Sequence, residues 1–227
     1  MVKKDNKILM SDPVVSSTHV RPSQEPFVNL IHFDRDIVVD PSLSNRSRYF
    51  SCVRFSVAEK LSTAKALLPK GVRFLVKEGY RPLHIQQLAF ERALQRAKKS
   101  FPNEDLNYWL AEASKYVAPP DVAPHPTGGA IDLTLIDANG NELDLGTQYD
   151  AIPQETNYAT FFDATNISKQ AMQNRQMLAY ALQSVGFVNY FTEWWHWSYG
   201  DKYWAVMTNA DWAVYPPVSE QELVDLL

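Results

Sequence analysis

The sequence predicts an α+β domain, a central and mostly antiparallel sheet flanked by helices. Three observations lead there. Segments with helical periodicity dominate the first two-thirds of the chain, whereas short alternating segments cluster near its end with brief connections. A chain of 227 residues, 45% hydrophobic and 12% aromatic, can bury one sizeable core. The strongest hairpin signal, "DANGN", follows an alternating apolar run.

The elements follow in order. Residues 1–26 are polar, with Pro13, Pro22 and Pro26, and read as an arm over a domain spanning 27–227. In "SVAEKLSTAKALL", residues 56–68, Val57, Leu61, Ala64 and Leu68 recur at helical spacing, and "PKG" closes the segment. "VRFLVK" alternates as a strand does, and "EGYRP" breaks it. Pro82 disfavours a helical backbone at Arg81, which places that residue on the bend between strand and helix. Helices are predicted over 83–99 and around 103–117. A stiff "APPDVAPHPTGG" then leads into the strand "AIDLTLI", where Ile131, Leu133 and Leu135 face the core and Asp132 and Thr134 the other side. "ELDLG" begins the hairpin's return. Residues 168–185 form a helix with Ser168 as N-cap and Gly186 past its end, and "FVNYF", "WWHWSY" and "YWAVM" read as successive strands.

Composition excludes some classes of function. A net charge of −4 with no basic cluster speaks against nucleic-acid binding. Cys52 is the sole cysteine, so there is neither an internal disulfide framework nor a CxxC metal knuckle. No run of about 18 apolar residues is available to span a membrane. The N-terminus has only a three-residue apolar stretch, Ile8 to Met10, too short for a signal peptide. A cytoplasmic protein is expected, or a periplasmic one if a leader has been removed.

Five histidines are present. His19 and His84 read as surface residues and His32 as a core or edge residue. His125 and His196 have more suggestive company. His125 precedes Asp132 by seven positions, which in one straight strand would set them on opposite faces, but Gly128 and Gly129 permit a bend. Glu193 and His196 stand three apart inside "TEWWHW" and need a bend or bulge near Trp194 to converge. Alone, each pair is equally a polar decoration of loop or sheet. Together, His125, Asp132 and His196 supply two imidazoles and a carboxylate. Zinc accepts that set, and three protein ligands leave a fourth position for water, as in catalytic sites. Zinc lowers the pKa of such a water to about 7, and a carboxylate outside the ligand set, Glu193, could carry its proton to a leaving amine.

These motifs resemble the zinc D-alanyl-D-alanine dipeptidases. That family carries a serine-x-histidine-x-x-glycine-x-alanine-x-aspartate motif, matched here by "APHPTGGAID" with His125, Gly128, Ala130 and Asp132 in register. Its later glutamate-x-x-histidine is matched by "EWWH", and its upstream glycine-tyrosine-arginine-proline by Gly79 to Pro82. The resemblance covers roughly residues 27–215. It implies one zinc ion per chain, held by His125, Asp132 and His196, with Glu193 as general base and acid and Arg81 stabilising the oxyanion. It also implies that Asp144 in "ELDLG" matches an acidic position suited to the substrate's free amine. One departure is Ala123, where the family has a serine lining the substrate pocket.

The expected activity is therefore hydrolysis of a small D,D-dipeptide, D-Ala-D-Ala first, with a dipeptide as the partner and neither nucleic acid nor membrane. A D,D-carboxypeptidase or peptidoglycan endopeptidase would use the same metal site. A non-catalytic zinc-binding module would need the three ligands but neither Glu193 nor Arg81. Oligomeric state is not legible in the sequence.

Overall fold

Residues 7–226 are described by a computed structural model of the chain. In chain order their strands are β1 Phe27–Asn29, β2 Val38–Val39, β3 Cys52–Arg54, β4 Arg73–Glu78, β5 Ala130–Ile136, β6 Val188–Asn189 and β7 His196–Ser198. The α-helices are α1 Pro13–Ser16, α2 Leu30–Phe33, α3 Phe55–Ala64, α4 Leu83–Ser100, α5 Leu106–Ser114, α6 Lys169–Gln183 and α7 Lys202–Thr208. The main sheet runs β2-β4-β5-β7-β6, and β1 and β3 form a separate antiparallel ribbon. Within the main sheet β2 and β4 pair in parallel and the remaining neighbours are antiparallel, as the short late connections predict.

β5 is the organising strand. Ile131, Leu133 and Leu135 pack with Phe74 and Val76 of β4, and with Val57 and Leu61 of α3 and Leu178 and Leu182 of α6, in the largest apolar cluster. Burying such a side chain contributes roughly 1.5–3 kcal/mol relative to leaving it exposed, which sets the strand's register. Alternation then forces Asp132 onto the opposite face, where the cleft lies. The arm's described part is held against the domain: Met10 and Val15 are buried with Val122, Tyr190 and Tyr203, and Val20 bridges to Ala213. Its first six residues lie outside the described region.

Three sequence expectations change. "YWAVM" is not a strand but most of α7. The Asp201 side chain accepts from the amides of Tyr203 and Trp204, 2.8 and 3.1 Å away, and so caps a helix start. A short apolar run with the strand-prone residues Tyr203, Trp204 and Val206 imitated a buried strand there. The hairpin turn forms, but its return is a single bridge, Ile136 to Glu142, because Leu143 is the last residue to bond back to β5. His32 is exposed rather than core.

Arg175 on α6 straps the long segment that follows that bridge. Its guanidinium is buried and donates to the carbonyls of Leu145, Ala159, Phe161 and Phe162, with Nε to Leu145 O at 2.7 Å and Nη2 to Ala159 O at 2.7 Å. Burial lowers its pKa to about 10, against the pull of Asp144 and Asp163. We expect Arg175→Met to lower unfolding free energy by about 3–4 kcal/mol in a denaturant titration, since several buried carbonyls lose their donor at once. A change under about 1 kcal/mol would show that the strap is dispensable.

Candidate metal centre

Three adjacent strands line up one side chain each. Glu78 of β4 pairs with Asp132 of β5, and Asp132 pairs with His196 of β7. The register slips between Val76 and Glu78, and bulges of this kind re-aim side chains beside functional sites. The Asp132 carboxylate is the hub. Its Oδ1 lies 2.9 Å from His196 Nδ1 and 3.3 Å from His125 Nε2.

His125 reaches this row from a short 3₁₀ turn, His125–Thr127, that ends on Gly128 in the left-handed region at φ 73°. A Cβ on Gly128 would stand 2.2 Å from the Phe27 ring, so glycine is required on two counts. This is the bend that the seven-residue offset demanded. His125 Nδ1 lies 2.6 Å from the Gly79 carbonyl, which can only accept, so Nδ1 carries the proton. In the neutral ring Nε2 is then a bare lone pair, buried, without a hydrogen-bond partner and facing a carboxylate. Two lone pairs facing each other call for a cation between them. The three candidate ligand atoms all lie within 4.8 Å of one another, and two imidazoles with a carboxylate are a donor set that zinc takes. The residues fit the metal.

Glu193 and His196 meet through a tight turn, with the His196 amide donating to the Glu193 carbonyl at 3.2 Å, and not through a bulge in a continuous strand. Asn189 Nδ2 clamps the turn by donating to both carbonyls at 2.9 Å. The tryptophans fix it from outside. Trp194 Nε1 donates to Thr147 Oγ1 at 2.8 Å, Trp197 Nε1 donates to the Trp194 carbonyl at 3.1 Å, and all three indoles are buried. Glu193 Oε2 consequently sits 4.0 Å from His196 Nδ1.

Arg81 is held by groups that sequence reading did not single out. Its Nε donates to Glu78 Oε1 at 3.0 Å while Nη2 donates to Glu78 Oε2, a two-pronged pair, and Nη1 donates to Gln86 Oε1 at 2.9 Å. A guanidinium has five N–H donors; these contacts leave one on each terminal nitrogen. Nη2 also lies 3.7 Å from Asp132 Oδ2. Glu78 had a local signal, a carboxylate three residues before Arg81 in "EGYR". Tyr149, whose hydroxyl donates to Asp132 Oδ2 at 3.3 Å, had none.

The electrostatics separate the carboxylates. Burial, reinforced by the charge on Asp132, pushes Glu193 well above the ordinary carboxylate range, with Arg81 opposing. Burial would raise Asp132 as well, but His125 and His196, when their imidazoles carry protons towards it, outweigh burial and hold the group well below that range. Burial lowers His196 against the pull of Asp132, and raises Tyr149, keeping its hydroxyl a donor.

Arg81, His125, Asp132, Glu193 and His196 line one cavity of about 370 Å³. Asp144 does not. It is exposed, accepts from the Gly146 amide at 2.8 Å and from Ser168 Oγ at 2.9 Å, and so steadies the capped start of α6. The acidic side chain that the same segment brings to the cleft is Asp150, six residues on, with φ 60°. Ala123 is buried beside the His125 turn and leaves no hydroxyl there.

Comparison with known proteins gives a consistent set of likenesses. A family profile described as D-ala-D-ala dipeptidase matches residues 46–214, a span holding every residue named in this cleft. A D-alanyl-D-alanine dipeptidase of Synechocystis sp. is 26% identical over 196 residues, covering 75% of this chain and 77% of that protein. One from Enterococcus faecium is 32% identical over 155 residues, covering 65% and 73%. One from Escherichia coli K12 is 28% identical over 142 residues, covering 62% and 61%.

Proposed function

The chain belongs to the D-ala-D-ala dipeptidase family of zinc peptidases, and on that footing we propose that it hydrolyses small free D,D-dipeptides, D-Ala-D-Ala first among them. The observation that carries the reading is the convergence of His125, Asp132 and His196 on one point, with Glu193 and Arg81 in the same cleft. Those three side chains would hold one zinc ion per chain. When bound, zinc supplies Lewis-acid polarisation of a carbonyl oxygen and acidifies water.

The chain's own residues do the rest. Glu193 takes the proton of the attacking water on a carboxylate oxygen and returns it to the nitrogen of the leaving D-amino acid. Arg81 offers its two unengaged N–H groups to the carbonyl oxygen as that oxygen gains charge, and Glu78 holds the guanidinium in place beforehand. The indoles keep the turn rigid, so that base and ligand stay in register.

Three carboxylates line the cleft: Asp132, Asp150 and Glu193. With Asp132 a ligand and the proton transfer assigned to Glu193, Asp150 remains to receive the substrate's ammonium. Tyr116 supports it, donating to Oδ1 at 3.2 Å. We expect Asp150→Asn to raise KM for D-Ala-D-Ala by about tenfold or more, with a smaller change in kcat, because a charge-assisted contact is lost. A kcat loss at constant KM would place Asp150 in the chemistry instead. The same reading requires N-acetyl-D-Ala-D-Ala to be a poor substrate. Equal turnover of the acetylated peptide would move the assignment to a D,D-carboxypeptidase.

A cytoplasmic location belongs to the same proposal, since a free dipeptide rather than an intact wall is the substrate. Among the described residues no helix is long and apolar enough to cross a membrane.

A further inference from the structure

The cleft is more positive than a dialanine requires. Besides Arg81, which Glu78 engages, its lining includes Arg46, Arg92 and Arg96. Among the described residues no acidic side chain forms an ion pair with any of these three. All three are exposed on a chain whose net charge is −4, so the cluster is a local feature and not an average one.

Their placement is ordered. Arg92 and Arg96 stand four residues apart on α4, one turn above the other on a single face. At 1.5 Å per residue they lie about 9 and 15 Å beyond Gln86, the residue that contacts Arg81. The Arg96 guanidinium lies 5.2 Å from the centre of the Tyr116 ring, whose hydroxyl donates to Asp150. Arg46 comes from the other wall, close enough to Asp150 to act on its charge. Three guanidinium groups, two from α4 and one from Arg46, thus line the same cleft as the Asp150 carboxylate.

A zwitterionic dipeptide does not use this arrangement fully. Its ammonium pairs with Asp150 and its terminal carboxylate needs one guanidinium, which leaves two unanswered. We propose, building on the dipeptidase reading, that the arginine-lined mouth selects dipeptides bearing a second carboxylate on a side chain, acidic D,D-dipeptides in place of D-Ala-D-Ala alone. Arginine suits the task, because its planar fork meets a carboxylate in two-pronged fashion.

The test compares kcat/KM for D-Ala-D-Glu and D-Glu-D-Ala with their neutral isosteres D-Ala-D-Gln and D-Gln-D-Ala, with D-Ala-D-Ala as reference. Wild-type protein and the Arg92→Gln/Arg96→Gln double variant are assayed with zinc loaded. The read-out is the acidic-to-neutral ratio within each protein, which a general loss of folding or activity does not move. The wild type is expected to favour at least one acidic member over its isostere by about five- to tenfold, as partly exposed ion pairs allow. That ratio should fall towards one in the double variant and shrink as salt rises. Turnover of D-Ala-D-Ala and the neutral peptides, with no acidic preference or with a preference unchanged in the double variant, overturns this proposal and leaves the dipeptidase reading intact. Turnover of no free dipeptide overturns both.

Discussion

Glu193→Gln is expected to lower kcat for D-Ala-D-Ala by about 10²–10⁴, while the protein still binds one zinc ion per chain. Gln is isosteric and keeps the turn, whose backbone contacts run through Asn189 and the Glu193 and His196 main chain. It cannot accept the proton. The carboxylate is not needed as a ligand, since two imidazoles and Asp132 already converge without it. Metal content measured on the purified variant, together with initial rates, separates these effects. A variant that retains more than about a tenth of the wild-type kcat would remove Glu193 from the proton path. One that loses zinc along with activity would make it part of the metal site.

Arg81 carries the second large effect. Arg81→Lys should reduce kcat by about 10²–10³ with KM changed far less, because an oxyanion donor acts mainly in the transition state. Lysine keeps the charge beside the buried Glu78, so the fold is spared the cost of an unpaired buried carboxylate. It loses the fork that satisfies Glu78 and Gln86 together. Thermal unfolding of the variant is the control. If KM rises and kcat holds, Arg81 binds the ground state instead, and the oxyanion role passes to another donor.

How much of this the sequence disclosed depends on how local each cause is. The α4 and α6 helices were legible because their apolar spacing lies within the segments themselves, and α6 has Ser168 as a cap directly before it. The strand β5 was legible because its alternation is strict from Ile131 to Leu135, and Asp132 on the face away from the core marked the site. α7 was misread because a short apolar run holding Tyr203, Trp204 and Val206 reads equally as a buried strand. The deciding signal, the Asp201 cap, is a single residue before them.

The candidate metal ligands stood out as residue types at meaningful spacing, and the devices that join them are bends of the kind that spacing required. A left-handed Gly128 ends the His125 turn, and a tight turn serves where a bulge near Trp194 was also possible. Tyr149 and Asp150 were not legible. They lie in a segment whose path depends on contacts distant in sequence, among them Arg175, 25 or more residues further along, which gathers the carbonyls of Leu145, Ala159, Phe161 and Phe162. Asp144 satisfied a motif comparison, yet its carboxylate is occupied by Gly146 and Ser168. No property of "ELDLG" announces that occupation.

The central claim is that one zinc ion, held by His125, Asp132 and His196, makes this cleft a hydrolase of free D,D-dipeptides. The most direct measurement is D-alanine release from D-Ala-D-Ala as chelator-stripped protein is titrated with zinc. Release should be absent at the start, rise in proportion to added metal, and level off at one equivalent per chain. A protein that takes up one equivalent of zinc and releases no D-alanine, or that is equally active when stripped, would contradict the account.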